Sequence, residues 1–490
     1  MMDTDLLQEL LGALNRARVL CIGDVILDRF IHGEVERISP EAPIPVVKIE
    51  AEDEVLGGVG NVARNVAALG GHATLLSIVG DDPVAAALAD LLGREPRIDA
   101  ELLPEANRQV TVKTRYVASG QQLLRADSET SAPISDPAAQ ALLATFDMVI
   151  ADVQAVVVSD YGKGVLTDRV LCHVIDTART QGKTVLVDPK GRDFTRYSGA
   201  ELITPNQREL ADATALATAS EEQVVAAARK VISDCGISKV VVTRSSQGIS
   251  IVDTNSVENL PVCAREVFDV SGAGDTVIAV LAAAIGCGAD IGDAATLANL
   301  AAGIVVAKVG TSVAYPAEIA AALQDPRGTG PATKLVDLDS ARDRAAGWRR
   351  QGLRVGFTNG CFDVLHPGHV HLLLQARARC DRLIVGLNSN ESVTRLKGPE
   401  RPVHGADERA MMLGAHGTVD LVVVFDEDTP IALIEALRPG VLVKGADYGL
   451  DEVVGAEVVR SWGGEVVLVE LKGGYSTTET LARLRQLQAK

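Results

Sequence analysis

Two short stretches of this sequence carry residue types suited to work on phosphate. The first is Phe268-Asp269-Val270-Ser271-Gly272-Ala273-Gly274-Asp275-Thr276, followed at once by an apolar run. Small residues ahead of a helix let a phosphate approach backbone N–H groups, and the positive helix end favours the anion. Gly272, Ala273 and Gly274 would form that anion hole. Asp275, just inside the helix, can take the proton of an attacking hydroxyl as general base. The implied chemistry is phosphoryl transfer to an alcohol. The plainer reading is a Gly-containing turn with Asp275 as a helix cap.

The second stretch is Thr358-Asn359-Gly360-Cys361-Phe362-Asp363-Val364-Leu365-His366-Pro367-Gly368-His369, ahead of the apolar Val370-His371-Leu372-Leu373-Leu374. Imidazoles at such a strand-to-helix junction can donate hydrogen bonds to phosphate oxygens as charge builds in a transition state. Gly368 removes the side chain that would block phosphate, and Pro367 fixes the turn. A zinc site lacks an evident third ligand, and a metalloprotease would need HExxH. The plainer reading is one capping and one packed histidine.

Other polar residues cluster at element ends. Asp24 and Asp28 bracket the end of the first strand, where a carboxylate can bind sugar hydroxyls. Gly57-Gly58-Val59-Gly60-Asn61 opens a helix, with Gly58 allowing close approach and Asn61 as a polar hook for sugar. GxGxxG is absent, so this is no dinucleotide fingerprint. Asn206-Gln207-Arg208-Glu209 follows the strand Leu202–Thr204 and suits metal–phosphate positioning, or simply a capped helix start. Lys113, Arg115 and Arg125 are candidates for a cationic pocket around a substrate that already carries phosphate, or else a solvated charged face. The stretch Arg395–Val403, with Lys397, adds a basic loop. Val443-Lys444-Gly445-Ala446-Asp447-Tyr448 adds a strand end near the base.

The positioning elements are strands alternating with helices. Strands are predicted at Val19–Gly23, Thr74–Val79, Ala155–Ser159, Thr184–Val187, Leu202–Thr204 and Lys239–Thr243. Helical patterns lie between them, as in Ala63–Leu69 and Glu221–Asp234. This alternation predicts a doubly wound α/β domain. The Pro-punctuated, extended Arg29–Ile49 should join Arg108–Ala118 and Gln122–Ala126 in a small side sheet, a β lid over a cleft. The Pro/Gly-rich Gln324–Pro331 reads as a linker. Five more strands follow, at Arg354–Thr358, Arg382–Leu387, Leu421–Phe425, Val441–Lys444 and Glu465–Val469. They predict a small open parallel sheet that binds ligand beyond its C-terminal strand ends. The expected division is a domain over 1–325, a linker over 326–334 and a domain over 335–490.

Composition supports this class. At 490 residues the chain exceeds one core, and 47% hydrophobic but only 3% aromatic residues require cores of Ala, Val, Leu and Ile. The net charge of -18 argues against nucleic-acid binding through a basic surface. Anionic substrates must then be held by local cations or helix ends. The seven cysteines form no CxxC, which argues against a zinc knuckle or disulfide framework and suits a reducing compartment. The acidic, amphipathic Met1–Leu11 is not a signal peptide, and Val277–Ala289 is too short to span a bilayer and reads as a buried helix. A cytoplasmic protein without a membrane partner is expected.

Over about residues 10–320 the chain resembles the ribokinase-type carbohydrate kinases. It is closer still to their heptose 7-phosphate kinase branch, through Gly23–Arg29, Arg37–Val46, Gln121–Asp127 and Ser159–Gly164. That resemblance implies Asp275 as catalytic base and Asn206, Gln207, Arg208 and Glu209 lining an ATP–Mg2+ site. Glu209 would hold Mg2+ through water, with Lys190 and Arg244 as nucleotide-side cations. Val270 stands where the wider family usually has Thr, which leaves K+ use open.

Over about 335–490 the chain resembles the cytidylyltransferase-like nucleotidyltransferases, with the Thr358–Asp363 stretch of bacterial heptose-pathway adenylyltransferases. The resemblance implies that His366 and His369 stabilise the α-phosphate transition state and Lys397 neutralises phosphates. Lys444 and the late Ser476, Thr477 and Thr478 would meet the nucleotide. Glu479 replaces a residue that is often basic.

Together the halves resemble the fused heptose kinase–adenylyltransferases, almost end to end. That implies ATP and sugar phosphates as substrates, a separate phosphatase acting between the two steps, a homodimer through the lid sheet, and a role in lipopolysaccharide precursor synthesis. Another sugar phosphate, or CTP, remains an alternative, because motifs specify chemistry better than sugar identity. A scaffold that had lost catalysis should lack Asp275 or one of the histidines, and it has all three.

Overall fold

The computed structural model describes residues 4–118, 121–262, 269–308, 310–324, 334–350, 352–445 and 453–469. The chain divides into two compact units, Met1–Gln324 and Asp325–Lys490. Most of the expected linker lies outside the described residues, as do Phe268, Asp447, Tyr448, Ser476, Thr477 and Thr478.

The first unit holds two sheets. Its central strands are β1 (Arg18–Gly23), β4 (His72–Val79), β5 (Ile98–Pro104), β8 (Ala155–Ser159), β9 (Thr184–Asp188), β10 (Leu202–Ile203), β11 (Lys239–Thr243), β12 (Ile249–Val252) and β13 (Val257–Leu260). They run in the order β13-β12-β11-β10-β9-β8-β1-β4-β5. All neighbours from β11 to β5 pair in parallel, and β12 and β13 close one edge as antiparallel strands. Runs such as Val156-Val157-Val158 are buried on both faces, as parallel strands under helices require.

The side sheet forms as expected, in the order β3-β2-β6-β7 from β2 (Val25–Ile38), β3 (Pro45–Gly58), β6 (Thr111–Ala118) and β7 (Gln121–Ser128). Its two long strands overrun the expected Arg29–Ile49 at either end, because β2 starts at Val25 and β3 continues to Gly58, delivering the chain into the helix Val59–Ala68.

The apolar run after Gly274 is a helix, Ala273–Gly286, with every residue from Asp275 to Ala284 buried. Such a helix is held by packing on all sides rather than by an amphipathic stripe. Truncating its one leucine, Leu281, to alanine would cost about 2–5 kcal/mol.

The second unit is a five-stranded, wholly parallel sheet of β14 (Val355–Gly360), β15 (Arg382–Asn388), β16 (Leu421–Phe425), β17 (Val441–Gly445) and β18 (Glu465–Val469), ordered β16-β15-β14-β17-β18. The five predicted strands are all present, with ends shifted by one or two residues. Among the described residues no helix is long and apolar enough to cross a membrane.

Both sheets reverse their winding beside their first strand, between β1 and β8 and between β14 and β17. Loops that leave such a point diverge and open a crevice at the C-terminal strand ends. The phosphate-handling stretches meet these crevices.

Candidate active sites

In the first unit the crevice is closed at its base by Asp24. Gly23 has φ 155°, and a Cβ there would sit 2.0 Å from the Ser159 carbonyl oxygen, so β1 and β8 touch backbone to backbone. Asp24 is 1% exposed. Its carboxylate accepts from the backbone N–H groups of Tyr161, Lys163 and Val165, all at 3.0–3.1 Å. Asp24 therefore shapes the loop after β8. Asp28 is buried beneath the lid, and Arg115 donates to it. Gly57, beside Gly58, matters here, because a Cβ at Gly57 would fall 2.3 Å from Asp28 Oδ2. Gly58 itself turns the chain into the helix with φ 58°.

Asp275 stands at the helix start and is 3% exposed. Its Oδ2 accepts from Asn61 Nδ2 at 2.7 Å and its Oδ1 from Tyr161 Oη at 2.8 Å. Burial pushes its pKa up to about 6, against the lowering effect of those two hydrogen bonds. Gly272 caps the helix in the left-handed region, φ 78°, and a Cβ there would meet Asn61 Nδ2 at 2.7 Å. Only glycine satisfies both demands. A Cβ on Gly274 would meet nothing within 4 Å, so open space lies beside the helix end. Ala273 contributes less than expected, since its N–H already donates to Val270 O.

Asn61, the expected sugar hook, is fully buried, its Nδ2 holds Asp275, and its Oδ1 accepts from Asn65 Nδ2 at 3.3 Å. Asn65 in turn accepts from Thr276 Oγ1. Asn61 thus aims the carboxylate, and the tertiary fold brings it there from 214 residues away.

The lid cations separate. Arg115 is committed to Asp28 and lies over Phe30. Arg125 is about half exposed and turns to Asp127 in its own strand, as a solvated face would. Lys113 lies 5.1 Å from the Tyr161 ring centroid, on the Asp275 side of the lid, and burial lowers its pKa.

On the nucleotide side, Asn206 and Glu209 form a capping box at the helix Gln207–Thr214, so the plainer reading is realised in the geometry. Glu209 also pairs with Lys190 Nζ at 2.9 Å. Gln207 bonds the Thr218 carbonyl, and Arg208 is solvent-exposed. Arg244 is not an open cation. It is 6% exposed and donates to Ser250 and Gln247 within its own hairpin. Asp188, which sequence reasoning passed over, ends β9 between Asp275 and Glu209. Burial first, then those two carboxylates, raise its pKa well above the ordinary range. Asp275 and Glu209 are thus close enough to Asp188 for their charges to act on it. No group of three or more such residues among those described forms a metal cage of its own.

In the second unit His366 is the N-cap of the helix Pro367–Arg377, and Pro367 occupies its first turn. The rings of His366 and His369 stack at 3.7 Å between centroids. Burial lowers both pKa values, that of His369 to about 4, so both are neutral at pH 7. Each Nδ1 is buried without a partner, as are Thr358 Oγ1 and Asn359 Oδ1. Buried polar atoms are rarely left unpaired, so this concentration marks a site shaped for a ligand.

Lys444 at the end of β17 donates to the Asn359 carbonyl at 3.3 Å, across the crevice, and burial lowers its pKa to about 8. Lys397 ends the helix Asn390–Lys397 in solvent, and its charge is felt at Cys361 and both histidines. Cys361 and Gly360 are partly open at the strand end, and Gly368 is buried in the helix start.

Two residues expected at the nucleotide make their contacts within the protein. Phe362 is 3% exposed and supports His369, ring to ring at 5.0 Å, with a positive φ of 43°. Asp363 is 2% exposed and receives Arg401 and the N–H groups of Val403 and His404. Burial opposes its ionisation, but those hydrogen bonds win and hold its pKa below the usual range. A further residue was missed altogether. Arg409 is fully buried and ties the Cys361, Asn388 and His404 carbonyls together.

Comparison with known proteins places these two geometries. Residues 16–318 match the model of the pfkB family carbohydrate kinases, and residues 357–479 match the cytidylyltransferase-like model. The bifunctional protein HldE of Rhodospirillum rubrum is 54% identical over 98% of this chain and 97% of its own length. That of Paramagnetospirillum magneticum is 52% identical over 99% of both chains. Among solved structures, Arabidopsis thaliana ribokinase complexed with ribose and ATP overlays 63% of this chain and 99% of its own. The TM-score is 0.51 at 19% identity. Escherichia coli phosphofructokinase-2 overlays the same shares with a TM-score of 0.54 at 22% identity. These structural likenesses concern the fold.

Proposed function

Because the chain belongs to the pfkB carbohydrate kinase family and, along its whole length, to the bifunctional HldE proteins, we propose that it performs two steps on one sugar. The first unit phosphorylates D-glycero-β-D-manno-heptose 7-phosphate at O1. Asp275 accepts the hydroxyl proton, the oxygen attacks the γ-phosphorus of ATP, and ADP leaves. Asp188 and Glu209 are the residues that would meet a Mg2+ ion, which would supply charge neutralisation at the ATP phosphates. Charge neutralisation and alignment supply most of the rate in such transfers. Lys113 supplies positive charge on the lid side.

A phosphatase then removes the 7-phosphate. In the second unit the heptose 1-phosphate oxygen attacks the α-phosphorus of ATP and pyrophosphate leaves, giving ADP-heptose for lipopolysaccharide core synthesis. No base is needed, since the phosphate is already a nucleophile. The neutral imidazoles donate hydrogen bonds, and Lys397 and Lys444 provide the charge. A cytoplasmic homodimer fits this role.

The observation that carries the reading is that both crevices aim a helix start at open space, one bearing Asp275 and the other His366 and His369. Mass spectrometry of products from ATP and heptose 7-phosphate, with and without a phosphatase, tests it. The bisphosphate is expected without phosphatase and ADP-heptose with it. Turnover only with another sugar phosphate, or only with CTP in the second step, would overturn the substrate assignment.

A further inference from the structure

Beside the kinase crevice lies a buried cation that the proposed reaction does not use. Lys308 is 8% exposed and Glu318 5%. Lys308 Nζ donates to the Val313 carbonyl at 2.6 Å and to Glu318 Oε2 at 2.7 Å. The same carboxylate oxygen accepts from Tyr315 N at 3.1 Å, at the start of the helix Pro316–Gln324. One ammonium thus gathers both ends of the 308–315 loop. Breaking a buried ion pair is costly, yet making one adds little net stability over apolar packing. Stability alone is therefore a weak reason for such a pair.

The position of the loop supplies a better one. Gly310 N donates to Asp269 Oδ2 at 3.1 Å, and Asp269 Oδ1 accepts from Ser271 N at 2.9 Å. Asp269 is therefore a clasp between the loop and the turn that leads to Gly272. A Cβ on Gly272 would lie 3.5 Å from Thr311 Cγ2, so the loop packs directly on the cap of the Asp275 helix. The Thr311 carbonyl accepts from Arg64 Nη1, in the helix that carries Asn61. A Cβ on Gly310 would lie 3.5 Å from the Phe30 ring, which lies under Arg115 of the lid. The loop touches the phosphate-facing turn, the Asn61 helix and the lid at once.

We propose that Lys308 is a positioning residue, whose ammonium holds the 308–315 loop against the Asp269–Gly272 turn and so sets the anion hole in front of Asp275. The inference rests on the kinase reading above and concerns the same site.

Two measurements test it. The paired change Lys308→Met with Glu318→Gln leaves no lone buried charge and keeps an acceptor for Tyr315 N–H. It should lower kinase kcat by about 10- to 100-fold through misalignment, with the KM for ATP little changed and adenylyl transfer intact. Lys308→Ala leaves Glu318 facing a cavity, and added K+ or ethylammonium should restore several-fold of the lost rate. An unfolded unit could not respond in that way.

A paired variant with full kcat, or a Lys308→Ala loss that no small cation repairs, would each overturn the inference alone. An unaltered enzyme with no kinase activity would overturn both it and the kinase reading.

Discussion

In the first unit burial lifts Asp275 to about 6, and in the second it drops His369 to about 4. The physical cause is the same, since low dielectric disfavours whichever form is charged. The consequences differ. A general base gains from it, because the carboxylate becomes more basic yet stays mostly ionised at pH 7. A ring that stabilises charge loses by it, since a neutral imidazole offers a hydrogen bond but no charge. The second site must bring its charge from Lys444 and Lys397, on other elements. The partners differ too. Asp275 has both oxygens satisfied by the protein, whereas His366, His369, Asn359 and Thr358 each keep an unpaired buried atom. The kinase centre is built before substrate arrives, and the transferase centre is completed by it.

The strongest way to break this contrast is to remove each centre in turn. Asp275→Asn should cut the kinase rate by about 10²- to 10⁴-fold, the usual range for a positioned base, and leave adenylyl transfer unchanged. His369→Ala should do the reverse, lowering adenylyl transfer by about 10²- to 10³-fold, as for loss of a transition-state donor. Separate product assays on each variant check both. Loss of both activities from either change would end the claim of independent sites.

The pH profiles sharpen the contrast. The kinase rate should fall about tenfold per unit below about pH 6, where Asp275 takes up a proton. Adenylyl transfer should be flat there, since His369 stays neutral down to about 4, and should decline above about 8 as Lys444 loses its proton. A transferase rate that instead falls as pH rises through about 6 would mean that charged imidazole does the work.

A smaller effect is expected from Asn61→Leu. Its hydrogen bond favours the ionised form of Asp275, so its loss should move the kinase acid limb to higher pH by about one unit, on the scale of a hydrogen bond to a charged group. A weaker KM for sugar with an unmoved limb would return Asn61 to substrate binding.

The chemistry-bearing residues were readable because they lie in contiguous stretches. The Asp275 turn and the His366–His369 junction each fit within a dozen residues, and local rules for glycine, proline and helix ends govern them. The contacts that local rules did not announce are those whose partners come from far along the chain. Asn61 and Asp24 were expected at the sugar, and within the protein they hold Asp275 and the loop after β8. Arg244 was expected as a nucleotide-side cation, and nothing local announces that a hairpin will enclose it. Asp188, Tyr161 and Arg409 carried no spacing signal at all.

By itself the sequence determined the strand–helix alternation, the low-aromatic cores and the two helix starts, since periodicity and backbone preference act over a few residues. Only the tertiary structure decided which carboxylate is a base and which a strut, which cation is free and which enclosed, and how far each pKa moves. Burial and hydrogen-bond partners set those properties, and both are relations between residues that only folding brings together.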